Sequence, residues 1–125
     1  MATKTMLPNP TDAKAFFEDK LQFTTGPVDL ERMMKEEGKD LVIVDVRAAE
    51  DYEEGHIPGA INLPKEKWGT LAGLRKNARN VVYCYSLTCH LGANACLEFA
   101  EKGFPVMELD GGFEVWSEKE FPIER

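Results

Sequence analysis

Two short apolar runs constrain the fold of this chain more than any other feature. One is Leu41-Val42-Ile43-Val44, and the other spans Val81 to Cys84. Both runs are continuous rather than alternating in polarity, which is typical of strands buried on both faces of a parallel sheet. Stretches with helical patterning separate these runs, so the order of elements predicts an α/β domain with a mainly parallel sheet.

The other predicted elements keep this alternation. We expect helices over residues 13–21, 30–37, 49–54, 90–102 and 113–118, a weakly patterned helical region over 67–74, a short strand within 55–64 and a third core strand over 105–109. Thr11-Asp12 is expected to cap the first helix, whose Phe16, Phe17 and Leu21 recur at helical spacing. That spacing predicts one buried face. Asp29 is the expected N-cap of the second helix.

Length and charge limit the class of protein. A chain of 125 residues is one domain that can bury a real core. We expect residues 1–26 to form an N-terminal extension whose helix packs on a domain of residues 27–125. A net charge of −7 argues against nucleic-acid and anionic-membrane partners. No apolar run approaches the roughly 20 residues of a membrane span, and the N-terminus lacks the apolar core of a signal peptide, so a cytoplasmic location is expected.

The cysteines do not form a structural framework. There are three of them, Cys84, Cys89 and Cys96, and an odd number clustered in one stretch is not a disulfide scaffold. The spacing of Cys84 and Cys89 has no second pair to match it, and the chain holds only two histidines, so zinc is not expected. Cys96 falls inside a predicted helix, where packing is the simplest role. No metal or organic cofactor is expected.

Cys84 stands at the junction of a strand and a helix. Unpaired backbone N–H groups and the positive end of the helix dipole stabilise a thiolate at such a position and let an anion dock beside it. Cys84 is therefore the predicted nucleophile. The loop after it supplies the other candidate active-site residues, which are Tyr85, Ser86, Leu87, Thr88 and His90.

Several roles in this region stay open. Cys89 could resolve an oxidised or persulfidated Cys84 as a disulfide, could begin the helix and carry the reactive thiolate itself, or could be inert. His90 could pair with a thiolate or face solvent. Asp45 and Arg47 follow the first apolar run, at the strand end where functional residues of α/β sheets collect.

Four segments resemble the rhodanese-like domain family. They are Asp45-Val46-Arg47, the stretch GHIPGAINLP from Gly55 to Pro64, Val82-Tyr83-Cys84, and Leu109-Asp110-Gly111-Gly112-Phe113 followed by Trp116. Their order and spacing are those of the family. The CxxxxC pattern of the loop is similar to that of a subset of bacterial single-domain members.

The resemblance implies both a fold and a reaction. The implied fold is a central, mostly parallel five-stranded sheet flanked by helices. The implied reaction is sulfur transfer, in which Cys84 takes sulfane sulfur from a small donor or a protein persulfide, becomes a persulfide and passes the sulfur to a thiol or another nucleophilic acceptor. Asp45 and Arg47 are implied to support the architecture around the loop.

The loop departs from the common family pattern in one respect. Usual members carry a loop arginine that binds an anionic donor, but its place falls near Leu91, and no Lys or Arg lies between Tyr83 and Glu101. The departure predicts weak use of thiosulfate, favours a neutral, larger or protein-borne persulfide donor, and argues against phosphatase activity. A thiol redox protein using Cys84 and Cys89, and a noncatalytic binding module, are the alternative functions.

Overall fold

The computed structural model describes residues 6–36 and 38–125, without the side chain of Lys39. Within that part of the chain, five parallel strands form one sheet in the order β1-β5-β4-β2-β3. The strands are β1 (Thr24–Thr25), β2 (Leu41–Asp45), β3 (Ile61–Asn62), β4 (Arg79–Tyr83) and β5 (Val106–Leu109). The helices are α1 (Pro10–Phe23), α2 (Pro27–Glu36), α3 (Ala49–Glu54), α4 (Leu91–Glu101) and α5 (Gly112–Glu118). The predicted α/β class and the five-stranded sheet are confirmed.

The two central strands are buried on both faces, as their continuous apolar runs predict. On one face Ile43 and Val81 pack with residues of α2 and α5. On the other face Val44 and Val82 pack with residues of α4. Because consecutive side chains of a strand point to opposite faces, two covered faces require apolar residues at every position.

The register of the sheet brings the ends of these strands together. Asp45, the last residue of β2, is paired with Tyr83, the last residue of β4. Cys84 is thus the first residue after its strand, at the carboxyl edge where ligands of open α/β sheets bind.

The prediction for α1 is wrong in its cap and in its buried face. The side chain of Asn9, not of Thr11 or Asp12, accepts the free N–H groups of the first turn. Phe16 and Phe17 remain 60% and 54% exposed, and neither core cluster contains a residue of α1. The helix leads into β1, a two-residue strand at the edge of the sheet, so its apolar stripe has no broad surface to cover.

Smaller differences concern the boundaries of elements. Helix α2 begins at Pro27, so Asp29 lies in its first turn instead of capping it. The weakly patterned region is a 3₁₀ helix over Lys65–Thr70, and Leu71 ends it with a φ of 56°. None of the helices in the described ranges is long and apolar enough to cross a membrane.

Candidate active site

The first half of the loop after β4 is held by the start of α5. The backbone N–H groups of Phe113 and Glu114 donate to the carbonyls of Cys84 (2.9 Å) and Tyr85 (3.0 Å). Gly112 has a φ of +61°, and a Cβ there would lie 2.7 Å from the Cys84 carbonyl oxygen. Only glycine permits this approach of two backbones, which explains the paired glycines of the sequence in physical terms.

The second half of the loop folds back toward Cys84. The N–H of Cys89 donates to the carbonyl of Ser86 at 3.2 Å, closing a turn over these four residues. The hydroxyls of Ser86 and Thr88 are 3.4 Å apart across that turn. Leu87 forms its tip and is 72% exposed. The turn therefore returns the chain to the strand end and brings the second cysteine next to the first.

The turn brings Cys89 next to the sulfur of Cys84. The Cys84 thiol donates a hydrogen bond to the backbone carbonyl of Cys89 at 3.5 Å, and each thiol affects the ionisation of the other. The backbone N–H groups of Tyr85 and Gly92 favour the ionised form of both thiols. Cys84 is buried and Cys89 is partly exposed, and neither forms a disulfide. These amides therefore act on two thiols rather than one.

The two thiols differ in acidity because their surroundings differ. Burial raises the pKa of Cys84 to about 11, and its hydrogen bond to Cys89 adds to that effect. Burial also opposes ionisation of Cys89, but the bond from the Cys84 thiol and the amides of Leu91, Tyr85 and Gly92 outweigh it and lower the pKa of Cys89. Cys89 is therefore the thiol of the pair that ionises more readily.

Glu108 is a neighbour of the thiols that the sequence did not single out. A Cβ placed on Gly92 would be 2.9 Å from the Glu108 carboxylate and 3.4 Å from the sulfur of Cys84. Burial and then the charge of Asp110 raise the pKa of Glu108. The signal that could have found it is an acidic residue inside an apolar core strand. A carboxyl group, not a cation, thus lies beside the sulfurs.

Asp45 and Arg47 form a buried ion pair beneath the loop. Nη2 of Arg47 donates to Asp45 at 2.7 Å and to the carbonyl of Gly55 at 2.6 Å. The hydroxyl of Tyr83 also donates to Asp45, at 2.7 Å, and receives the N–H of Ile57. The Arg47 side chain is only 5% exposed. Its charge is therefore committed to the fold and is not presented to a donor molecule.

Three further residues considered in the sequence, Tyr85, His90 and Cys96, interact with groups other than the two loop thiols. The Tyr85 hydroxyl donates to Asp51 of α3 at 2.6 Å, so the side chain leaves the thiols for that helix. His90 caps α4 with no side-chain hydrogen bond and lies near enough to Glu108 to act on its charge. Cys96 packs against the core, and burial followed by the charge of Glu108 raises its pKa to about 12. Cys96 is accordingly a packing residue, as its helical position predicts.

A metal centre has no candidate in this region. Among residues 6–36 and 38–125, no group of three or more His, Cys, Asp or Glu side chains is arranged to hold a metal ion. The functional groups of this site are the two neighbouring thiols and the backbone amides around them.

Comparison with known proteins gives the family. The family model of the rhodanese-like domain matches residues 26–119 of the sequence. The chain therefore belongs to the rhodanese-like domain family. It is 37% identical to the thiosulfate sulfurtransferase GlpE of Shewanella oneidensis over 66% of this chain and 81% of that protein. It is 35% identical, over 75% of its length, to an HTH-type transcriptional regulator of Mycobacterium tuberculosis, of which it spans 42%.

Solved structures agree with this assignment. A Bacillus halodurans protein superposes with a TM-score of 0.84 at 36% identity, covering 93% of this chain and 86% of that one. A thiosulfate sulfurtransferase of Pseudomonas aeruginosa superposes with a TM-score of 0.69 at 28% identity, covering 82% of this chain and 19% of that protein. The fold is thus shared both by small proteins and by one unit of larger ones.

Proposed function

We propose that this domain is a sulfurtransferase in which Cys84 carries sulfane sulfur as a persulfide. The observation that carries the proposal is the position of Cys84 just after β4, with its sulfur 3.5 Å from the backbone carbonyl of Cys89. A persulfide needs a thiolate to form it and hydrogen-bond donors to hold its charge, and the amides of Tyr85 and Gly92 favour the ionised form of both thiols. The functional unit is residues 27–125 together with β1 (Thr24–Thr25), which pairs with β5 at the edge of the sheet.

The high pKa of Cys84 is compatible with this role because Cys89 can accept its proton. In the loading step the Cys89 thiolate takes the proton of Cys84, and the new Cys84 thiolate attacks the outer sulfur of a donor R–S–SH. The S–S bond of the donor breaks, R–S⁻ leaves with the proton from Cys89, and Cys84–S–SH remains. The Cys89 thiolate therefore acts as the general base, a role that a separate residue such as histidine has beside other nucleophilic cysteines.

The donor is a persulfide of low negative charge, small or protein-borne. The guanidinium of Arg47 lies 5.8 Å from the centre of the Tyr85 ring but is buried against Asp45, and the Glu108 carboxyl lies beside the sulfurs. Since no Lys or Arg stands between Tyr83 and Glu101, the loop itself offers a dianion such as thiosulfate no cationic side chain, whereas a thiol persulfide needs only the amides. The final acceptor is a thiol. A bacterial cytoplasm, where thiols are kept reduced, suits a domain with three free cysteines.

One observation also favours a thiol redox function. Both thiols are free, and the Cys84 sulfur lies 3.5 Å from the backbone carbonyl of Cys89, so removal of two electrons would join neighbouring cysteines as a disulfide. If the domain never gains sulfur from any donor yet forms this disulfide readily, the redox function replaces the transferase. A domain that does neither is a binding module.

Replacing Cys89 with serine tests the shared proton. We expect the rate of persulfide loading at pH 7 to fall about tenfold and the midpoint of its pH profile to move upward. The sign follows from burial, which raises the pKa of Cys84, and from the loss of the neighbouring thiolate as a proton acceptor. Stopped loading followed by mass spectrometry from pH 5 to pH 10 measures both quantities. An unchanged profile would remove Cys89 from the loading step.

Introducing a cation tests the account of donor choice. Leu91→Arg restores a guanidinium near the place where usual family members carry one, and we expect kcat/KM for thiosulfate to rise about tenfold, since charge-assisted hydrogen bonds are worth more than neutral ones. Leu97→Arg, on an exposed position of the same helix, is the matched control and is expected to change it less than about twofold. Equal effects of the two variants would show that net charge alone matters.

A further inference from the structure

The position of Cys89 beside Cys84 matters for the loaded state. In the thiol form the sulfur of Cys84 donates to the backbone carbonyl oxygen of Cys89 at 3.5 Å, and the two thiols affect each other's ionisation. A transferred sulfur is attached beyond that atom, as the outer member of Cys84–S–SH. Cys89 is therefore next to the inner sulfur of the persulfide. A nucleophile that attacks the inner sulfur expels the outer sulfur.

The loop holds this arrangement from both sides. The start of α5 fixes Cys84 and Tyr85 through the N–H groups of Phe113 and Glu114. The turn from Ser86 to Cys89 returns the second thiol to the same place. Attack of Cys89 on Cys84 thus needs no rearrangement of the sheet or of α4, only closure of a short turn.

We propose that Cys89 attacks the inner sulfur of persulfidated Cys84, so that the domain releases sulfane sulfur as hydrosulfide and retains a Cys84–Cys89 disulfide. The inference rests on the proposed function, because it begins from the Cys84 persulfide. The new bond is Sγ–Sγ, and the bond that breaks joins Sγ of Cys84 to the outer sulfur. The electron pair leaves with the outer sulfur as HS⁻. Sulfane sulfur is reduced and the two thiols are oxidised.

The surroundings of the pair favour this step. Burial opposes ionisation of Cys89, but the interaction with Cys84 and the backbone amides of Leu91, Tyr85 and Gly92 outweigh it and lower the pKa of Cys89, which favours the attacking thiolate. A thiolate tethered in the same loop acts at an effective concentration in at least the millimolar range. A free acceptor thiol at about 0.1 mM is then expected to capture less than about one tenth of the sulfur. Direct transfer to a thiol acceptor competes only when that acceptor binds beside the loop.

The reaction also sets what the domain needs in order to turn over. The disulfide leaves no thiol at either site, so a second load requires reduction by an external dithiol. Cys89 is the more exposed of the two sulfurs and is the one such a reductant reaches first. When no acceptor thiol is bound beside the loop, the net reaction is the dithiol-dependent reduction of a persulfide to a thiol and hydrosulfide.

Single-turnover measurements on the full chain test the inference. The reduced protein is mixed under argon with one equivalent of glutathione persulfide, without any reductant. Intact mass and free sulfide are then followed for the wild type, Cys89→Ser, Cys84→Ser and, as a matched control, Cys96→Ala. Because Cys89→Ser is expected to load slowly at pH 7, each reaction is also run at pH 9.

We expect the wild type and Cys96→Ala to lose about 2 Da and to release about one sulfide per chain. Cys89→Ser is expected to gain about 32 Da and to release less than about one tenth of that sulfide. A wild type that keeps the added sulfur and releases no sulfide overturns the inference and leaves the proposed function standing. Absence of the added sulfur in Cys89→Ser at both pH values overturns the proposed function, whatever the wild type does.

Discussion

Replacing Cys84 with serine is expected to reduce consumption of a persulfide donor by about 1,000-fold or more. The serine hydroxyl keeps the size of the side chain, but it is not a nucleophile toward sulfane sulfur at neutral pH. Loss of donor persulfide, measured in the presence of a dithiol reductant, reports the rate. Circular dichroism and a urea titration are expected to show an intact fold, since the residue is a single side chain at the edge of the core.

Two variants control this measurement. Cys96→Ala removes the third thiol, which packs against the core and has a raised pKa, and it is expected to retain consumption within about twofold. Cys89→Ser separates the two loop thiols. Activity that survives in Cys84→Ser and disappears only in Cys89→Ser would assign the nucleophile to the second cysteine.

The second large effect concerns stability. Arg47→Met is expected to lower the free energy of unfolding by about 3–5 kcal/mol, because it leaves the Asp45 carboxylate buried without its partner. Asp45 is fully buried, and the side chain of Arg47 contributes two of the atoms that bind it, Nε and Nη2, as well as a bond to the Gly55 carbonyl. Urea unfolding followed by tryptophan fluorescence measures the change.

Matched variants show whether the lower free energy of unfolding comes from the unpaired charge of Asp45. Arg32→Met removes an exposed arginine whose partner is Asp29, and its expected cost is less than about 1 kcal/mol. In Asp45→Asn combined with Arg47→Met no charge is left buried, so the loss is expected to be smaller than in Arg47→Met alone. A double variant that is less stable than the single one would contradict this account.

The central sheet could be predicted because its signal is local and repeated. The runs Leu41 to Val44 and Val81 to Cys84 are apolar at every position, and only a strand covered on both faces requires that composition. The position of Cys84 just after such a strand then followed from the end of the run. The loop and its amides were thus foreseeable as a place for a thiolate.

The failure at α1 has a different origin. Phe16, Phe17 and Leu21 have helical spacing, and the helix forms as expected. Spacing shows that the apolar side chains share a face, but it does not show that another element covers that face. The covering partner is decided by the tertiary arrangement, and here α1 leads into a two-residue strand at the edge of the described sheet.

The acidity of the thiols could not be derived from the sequence. A position between a strand and a helix suggests a low pKa for Cys84, yet burial raises its pKa and the low pKa belongs to Cys89. Which of the two thiols has the lower pKa depends on the turn that brings Cys89 next to Cys84, and on the backbone amides of Leu91 and Gly92. The position of Glu108 could not be predicted from the sequence either. Only the structure shows that its carboxylate lies near Gly92 of α4 and hence near the thiols.

The central claim, a persulfide on Cys84, is tested most directly with single-cysteine proteins. In Cys89→Ser/Cys96→Ala only Cys84 remains, and in Cys84→Ser/Cys96→Ala only Cys89 remains. Each is incubated with polysulfide at pH 9, and the intact mass is measured before and after a dithiol. We expect a gain of about 32 Da, lost on reduction, in the protein that retains Cys84. A gain confined to the protein that retains Cys89 would contradict the claim.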